Sequence, residues 1–98
     1  EANFEWWDVG DFNVLWNVEE KDKDGNVVLT DEGGEYIGIE TKDSMIISED
    51  NRLVATYGVD NIVVVATKDA VLVIPKSEAQ SVKKIVEQIK EENKKNFL

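Results

Sequence analysis

The sequence predicts a mainly β fold with a helix near each end. Short segments rich in β-branched residues recur about every 8–10 residues between turn signals, which is typical of a meander, a sandwich or a β-solenoid. A capped apolar stripe of helical period follows the last of these segments. Near the start, Phe12, Leu15 and Trp16 fall at helical spacing and predict a short N-terminal helix.

The predicted strands are separated by turn residues and short charged segments. Asp24-Gly25 precedes the first strand and Gly33-Gly34 the second, and glycine adopts positive φ at no steric cost. Charged residues at 42–43 and 49–52 interrupt the chain further on. In chain order, the predicted strands cover residues 27–29, 35–40, 44–48, 53–57, 61–67 and 70–74.

The last two predicted strands are continuous β-branched runs. Residues 61–67 and 70–74 are joined through Thr67-Lys68-Asp69, and their lack of polar alternation predicts hairpin arms that are buried on both faces. A chain of 98 residues has little material with which to cover both faces of one sheet. We expect the C-terminal helix to cover one face, and a second β layer or another chain to cover the other.

A C-terminal amphipathic helix is predicted after the last strand. Pro75 ends the strand because proline cannot donate to a strand ladder. Ser77 is the predicted N-cap, and Gln80 completes a Ser-x-x-Gln capping box. The apolar stripe of this helix consists of Ala79, Val82, Ile85, Val86 and Ile89.

The composition excludes several classes of chemistry. The chain has no histidine and no cysteine, which excludes disulfides, imidazole or thiolate metal sites and His- or Cys-dependent nucleophiles. A net charge of −10 argues against nucleic-acid binding, and Arg52 is the single arginine. Because no apolar run is long enough for a membrane span and no basic leader is visible, we expect a cytoplasmic protein without membrane contact. The first residue, Glu1, is not methionine, which favours a processed or excised chain.

Two acidic segments have simple structural interpretations. The Asp-x-Asp-x-Asn pattern at residues 22–26 resembles the start of a calcium loop, but Val27 and Gly33 stand where an EF-hand needs Gly and Glu. A solvated turn is therefore predicted there. Residues 48–51 carry two carboxylates with nothing desolvated beside them, so they predict a strand-connecting loop rather than an acid–base pair.

Asp8 lies in an aromatic setting, directly after Trp6 and Trp7 in 4-FEWWDVGDFNVLW-16. It could cap a turn over the packed rings of Trp6 and Trp7, which is the interpretation that composition favours. Alternatively, it could be a ligand for a hard cation such as Mg²⁺, since such ions prefer carboxylate oxygens.

The order of several motifs resembles the mannose-1-phosphate guanylyltransferases of the sugar-phosphate nucleotidyltransferase family. Residues 7–12, WDVGDF, followed by Leu15-Trp16, are similar to the segment that ends the catalytic core of that family. Residues 24–27 resemble the start of its C-terminal region, and residues 46–86 resemble the rest of that region and its closing helix. The resemblance covers residues 4–90.

The resemblance implies a fold and a function. The body would be a short left-handed β-helix used in subunit contact, with residues 1–20 as the last segment of the catalytic core and residues 21–98 as the C-terminal domain. Asp8 would help to hold the Mg²⁺ that bridges the nucleotide and the sugar 1-phosphate. The intact protein, expected to be a homodimer, would convert GTP and mannose-1-phosphate to GDP-mannose and pyrophosphate.

The departures from the family imply that this chain alone is not catalytic. The Gly-rich nucleotide loop, the second metal-binding Asp and the substrate-binding Lys of the family have no counterpart here. A single carboxylate does not make a Mg²⁺ site, which needs further ligands. We therefore expect this chain to be the C-terminal part of such an enzyme. An alternative of another class is a small β-rich binding or adaptor module that uses Trp6, Trp7 and Trp16 as a contact surface.

Overall fold

The computed structural model describes residues 16–17, 19–31, 33–68, 70–81, 84–85, 87–89 and 91–92. These residues contain six strands of five residues each, and every strand overlaps one predicted from the sequence. A 3-10 helix spans Lys76–Ser81 after the last strand. The strands are β1 (Val27–Asp31), β2 (Glu35–Ile39), β3 (Met45–Glu49), β4 (Leu53–Tyr57), β5 (Ile62–Ala66) and β6 (Val71–Pro75).

The strands wind as a parallel coil with a constant offset. Val27 of β1 pairs with Met45 of β3, and Met45 pairs with Val63 of β5, so each step advances 18 residues (27, 45, 63). β2 and β4 pair in parallel with the same offset, as do Lys42 and Asp60 in an isolated bridge. Of the three architectures that the sequence left open, the structure is therefore the β-solenoid.

Two sheets result from this winding. The large sheet has the order β1-β3-β5-β6, and the small sheet consists of β2 and β4. β5 and β6 are antiparallel, so the predicted hairpin is confirmed, and the Thr67 N–H closes it by donating to the Ala70 carbonyl at 2.9 Å. Arg52 fixes this corner, since its guanidinium donates to the carbonyls of Thr67 and Lys68 at 3.1 and 3.0 Å.

The hairpin departs from the 18-residue repeat. Leu53 begins β4, and the residue 18 positions later is Val71, which begins β6. A further regular coil would place residues 71–75 beside β4 in the small sheet, but the chain turns back and pairs them with β5 instead. Within the described residues, no strand occupies the position beside β4 that the repeat would fill.

Apolar side chains are packed on both faces of the large sheet. Between the two sheets, Ile46, Val54, Val64 and Ala66 form one cluster. On the opposite face of the large sheet, a second cluster contacts Trp16 and the 3-10 helix. Its buried members are Val27, Met45, Ile47, Val63, Val65, Leu72 and Ala79.

Burial on both faces, predicted for both hairpin arms, holds for β5 and is wrong for β6. Residues 63–66 of β5 are buried, but Val71 and Val73 of β6 are 62% and 59% exposed. These two residues share the sheet face of Ala66 and Val64, with which they pair. They are exposed because the small sheet ends at β4 and does not extend over β6.

The end of the chain differs in part from the predicted helix. The last strand ends at Pro75 as predicted, but a 3-10 helix begins at Lys76, so Ser77 lies inside this helix rather than capping an α-helix. Ala79 is buried against the large sheet, whereas Ile85 is 40% exposed. Helical backbone recurs at 84–85, 87–89 and 91–92, within the predicted C-terminal helix. Trp16 and Asn17 are helical near the start of the chain, and the rest of both predicted helices lies outside the described residues. None of the described helical segments is long and apolar enough to cross a membrane.

A buried polar column joins successive coils at the corner where β1, β3 and β5 begin. The Asn26 side chain donates to the Thr41 carbonyl at 2.8 Å and accepts from the Ser44 N–H at 2.9 Å. The Ser44 hydroxyl in turn accepts from the Ile62 N–H at 3.1 Å. Asn26, Ser44 and Ile62 are again 18 residues apart, so one side chain in each coil satisfies a backbone group of the next.

Candidate functional site

The residues that carried the metal and aromatic-surface hypotheses are mostly outside the described chain. Asp8, Trp6 and Trp7 all precede residue 16, where the description begins. Among the described residues, no three acidic side chains come together in a group that could hold a metal ion.

The turn predicted at residues 22–26 is confirmed, whereas the loop predicted at 48–51 is wrong for its first half, because Ser48 and Glu49 are buried in β3 at 0% and 4% exposure. The Asp22 carboxylate accepts from the N–H groups of Asp24 and Asn26, each at 2.9 Å, which closes a turn with Gly25 at φ +83°. At 48–51, Ser48 and Glu49 complete β3, and the next two residues form the turn to β4. Both segments shape corners of the solenoid.

Trp16 lies at a junction between the start and the end of the described chain. Its ring packs on the outer cluster of the large sheet, with the Nζ of Lys76 3.5 Å and that of Lys21 4.5 Å from the ring centroid. Lys76 also donates to the Asp43 carbonyl at 2.6 Å. Burial lowers the pKa of Lys76, an effect that Lys21 increases and that Asp43 and Asp60 oppose. These contacts pack Trp16 against the large sheet of the same chain.

The most unusual feature of the described chain is an apolar surface around the small sheet. Six of the seven large apolar side chains that the described residues expose lie here. Four of them, on β2 and β4, point away from the coil interior and together with Ala55 form what we call the small-sheet face. These four are Ile37, Ile39, Leu53 and Tyr57, with exposures of 55%, 51%, 56% and 69%.

A groove adjoins this face at the end of the coil. It has a volume of about 470 Å³ and lies between β4 and the inner side of the β5–β6 hairpin. We call it the coil-end groove, and β4 is common to the groove and the face. Its apolar lining includes Leu53, Val59, Ile62, Val64, Val71 and Val73.

The backbone leaves β4 open toward the groove. The Arg52 carbonyl accepts from the Glu35 N–H, and the Gly58 N–H donates to the Ile39 carbonyl, both at 2.8 Å. Successive residues of a strand direct their backbone N–H and carbonyl groups to alternate sides. The backbone groups of Leu53, Ala55 and Tyr57 therefore point away from β2. No described strand pairs with that edge.

The edge of β6 is constructed differently. The Lys76 N–H donates to the Asn61 carbonyl at 2.7 Å, and the Thr67 N–H donates to that of Ala70. Because the backbone groups of successive residues point to alternate sides of a strand, the backbone N–H and carbonyl groups of Val71 and Val73 and the carbonyl of Pro75 point away from β5. Pro75 has no N–H to offer, which weakens this edge as a template for another strand.

A parallel coil of short strands, closed by a hairpin and exposing one apolar surface, defines a β-helix domain. This chain belongs to the family described as MannoseP isomerase/GMP-like beta-helix domain, which matches residues 34–89. The match covers five of the six strands and the 3-10 helix.

Full-length relatives carry enzyme names. A Vibrio cholerae protein, assigned provisionally as a mannose-1-phosphate guanylyltransferase, is 48% identical over 92 residues, which are 94% of this chain and 19% of that protein. The mannose-1-phosphate guanylyltransferase of Klebsiella pneumoniae is 40% identical over 93 residues, 95% of this chain and 19% of its own length. The chain thus spans about a fifth of the length of these curated relatives.

A solved structure shares the fold. It is described as mannose-1-phosphate geranyltransferase from Thermus thermophilus, and it superimposes with a TM-score of 0.68 at 34% sequence identity. The superposition covers 85% of this chain and 24% of the other.

The sequence contained a signal for the small-sheet face that the strand prediction did not use. In 35-EYIGIE-40, Ile37 and Ile39 are two residues apart, so their side chains lie on the same side of the strand. Both isoleucines are exposed. Nothing in the local sequence indicated that Lys21 and Lys76, 55 positions apart, would share the ring of Trp16.

Proposed function

We propose that this chain is the C-terminal β-helix domain of a mannose-1-phosphate guanylyltransferase. The supporting observation is that relatives of this name align with 94–95% of the chain while the aligned part is only 19% of their own length. The intact enzyme would convert GTP and mannose-1-phosphate to GDP-mannose and pyrophosphate in the cytoplasm. Residues 1–20 would form the last segment of the catalytic core, and residues 21–98 the β-helix domain.

Within that enzyme, the β-helix domain would be non-catalytic and would mediate contact between subunits. The apolar small-sheet face and coil-end groove support this role, because exposed apolar patches of this kind mark interaction surfaces. The resemblance further implies a left-handed coil and a closing C-terminal helix. The helical backbone at 84–85, 87–89 and 91–92 supports the helix.

Asp8 would act in the intact enzyme as one of several Mg²⁺ ligands. Bound Mg²⁺ supplies charge neutralisation when phosphate attacks the α-phosphorus of a nucleotide. The further ligands would come from the rest of the catalytic core. In the competing adaptor hypothesis three tryptophans form the contact surface, but one of them, Trp16, packs on the chain's own core.

A chimaera tests the proposed function. The C-terminal fifth of the Klebsiella pneumoniae enzyme would be replaced by this chain, and a second version would end before the replaced segment. We expect the chimaera to produce GDP-mannose and to assemble like the parent, and the shortened version to lose assembly. The isolated chain should show no turnover. A chimaera that assembles no better than the shortened version would contradict the role in subunit contact.

Asp8 has its own test in the same chimaera. Asp8→Asn should lower kcat by roughly 100-fold or more, as loss of a charge-neutralising group does. The oligomeric state of the chimaera should stay unchanged. Unchanged turnover would remove Asp8 from the metal site without affecting the proposed role of the β-helix domain.

A further inference from the structure

We propose that Lys76 and Lys21 are positioning residues: they clamp Trp16 onto the β-helix, and through Trp16 the β-helix positions the end of the catalytic core. We call these three residues the Trp16 clamp. The inference rests on the proposed function, which assigns residues 1–20 to that core, and it names the contact that couples the two parts of the intact enzyme. It follows from the origin of the clamp residues, their geometry and the path of the chain to β1.

Trp16 belongs to the core segment by its sequence position and to the β-helix by its contacts. Its side chain packs on the outer cluster of the large sheet. The two lysines at its ring come from opposite ends of the β-helix sequence, since Lys21 precedes β1 and Lys76 follows β6. One aromatic side chain of the core segment is therefore held by both ends of the neighbouring domain.

The two lysines hold different parts of Trp16. The Nζ of Lys76 lies 3.5 Å from the ring centroid and is fixed there by donating to the Asp43 carbonyl at 2.6 Å. The Nζ of Lys21 lies 4.5 Å from the centroid and also donates to the backbone carbonyl of Trp16. Both ammonium groups are within the roughly 6 Å over which a cation is attracted to an indole ring. The ring and the backbone of Trp16 are thus both held.

Burial strengthens the contact of Lys76 with the ring. It lowers the pKa of Lys76, because water is partly removed from the ammonium group, while the neighbouring carboxylates of Asp43 and Asp60 favour the charged form. A desolvated cation is attracted to an aromatic face more strongly than an exposed one. The clamp therefore adds a directional contact to the apolar packing of Trp16.

The chain between Trp16 and β1 is fixed as well. The Glu19 carbonyl accepts from the Nζ of Lys21 at 3.4 Å. The Asp22 N–H donates to the Asn26 carbonyl at 2.8 Å, and the Asp22 carboxylate closes the same turn. The described residues of this connection thus form no flexible linker of the kind that commonly separates domains. The position of the β-helix is therefore transmitted to the core segment that leads into Trp16.

Lysine substitutions in the chimaera with the Klebsiella pneumoniae enzyme test the proposal. We expect Lys76→Met to lower kcat by roughly 10-fold or more, because a small misplacement of a catalytic segment is costly. The KM values and the oligomeric state should stay unchanged. Lys21→Met should act in the same direction, and Lys76→Arg should restore most of the activity, since a guanidinium also stacks on tryptophan. Lys68→Met is the matched control, because Lys68 is exposed and not at the Trp16 ring, and it should have no effect.

Amide hydrogen exchange provides a measurement that does not depend on turnover. In the chimaera without substrates, residues 16–21 should exchange faster in Lys76→Met than in Lys68→Met, because the clamp no longer suppresses local opening. If Lys76→Met lowers only the thermal midpoint and leaves kcat unchanged, the positioning role is wrong while the proposed function stands. A chimaera without any turnover would instead contradict the proposed function. Exchange at residues 16–21 then decides the clamp alone: faster exchange in Lys76→Met supports it, and unchanged exchange overturns it.

Discussion

Asn26 and Ser44 occupy the same position in two successive coils, and the Asn26 side-chain oxygen accepts a 2.9 Å hydrogen bond from the Ser44 N–H. Asn26 is 4% exposed and Ser44 is fully buried, so water does not compete for these groups. The Asn26 amide nitrogen satisfies the Thr41 carbonyl of the same corner. The Asn26 side chain thus supplies two hydrogen bonds that link the two coils at this corner.

Asn26→Ala should destabilise the chain by about 1–3 kcal/mol, because it leaves a buried N–H and a buried carbonyl unsatisfied. Urea denaturation followed by circular dichroism measures the change. Asn26→Asp is the matched comparison: it keeps the acceptor for Ser44 but places a charged oxygen against the Thr41 carbonyl in a buried site, so at pH 7 it should be at least as destabilising as alanine. Equal midpoints for wild type and Asn26→Ala would show that the column does not stabilise the coil.

Gly34 should be intolerant of any side chain. An added Cβ would overlap the Ser48 carbonyl oxygen of the neighbouring coil, which is backbone and cannot move aside easily. We expect Gly34→Ala to cost about 1–3 kcal/mol, as overpacking does. Gly58 is the control, because it has φ +68° and no atom near its added Cβ, and asparagine tolerates that conformation. Gly58→Asn should leave the thermal midpoint nearly unchanged, and a similar loss in both variants would argue against the close approach at Gly34.

Lys76 should give stability a measurable pH dependence. Its pKa is lowered from the ordinary 10.5, chiefly by burial. Between the folded-state pKa and 10.5 the unfolded chain binds more protons at this residue, so the stability of the folded state rises with pH in that window. Below the window, the contribution of the charged group is constant.

The variant Lys76→Met isolates this effect, because it keeps an unbranched side chain of similar length beside Trp16 and removes the charge. The stability of wild type relative to Lys76→Met should increase as the pH approaches 10.5, and urea midpoints over a pH series measure it. A difference that is flat, or that falls with pH, would contradict the assigned direction.

Self-association should strengthen when salt is added. Each chain carries a net charge of −10, so two copies repel each other at long range while their contact surface is apolar. At physiological ionic strength the screening length is about 8 Å, and it shortens further at higher salt. Sedimentation in a sodium chloride series should therefore show tighter association at high salt. Weaker association at high salt would indicate an interface held by ion pairs.

Local pattern was sufficient to predict the individual strands and the hairpin. The β-branched run of β5 predicted its burial on both faces, since a strand packed on two sides has no polar alternation. The turn at Asp24-Gly25 and the end of the last strand at Pro75 followed from the conformational limits of those residues. These features depend on neighbours within a few positions.

The pairing of the strands depends on contacts between distant residues. The spacing of about 8–10 residues is compatible with an antiparallel meander, and only the contact of Val27 with Met45 and of Met45 with Val63 selects a parallel coil. The exposure of Val73 could not be predicted for the same reason. The sequence of β6 is as apolar as that of β5, but no described small-sheet strand covers β6. Ser77 was misassigned as an α-helical cap because the chain enters a 3-10 helix directly after Pro75.

The mass of the chain in solution shows whether the β-helix domain makes the proposed subunit contact through its apolar face and groove. Sedimentation equilibrium of the wild-type chain over a concentration series should therefore give a mass that rises from the 11.1 kDa of one chain toward twice that value. A mass that stays at 11.1 kDa at every concentration and salt would contradict a role of this domain in subunit contact.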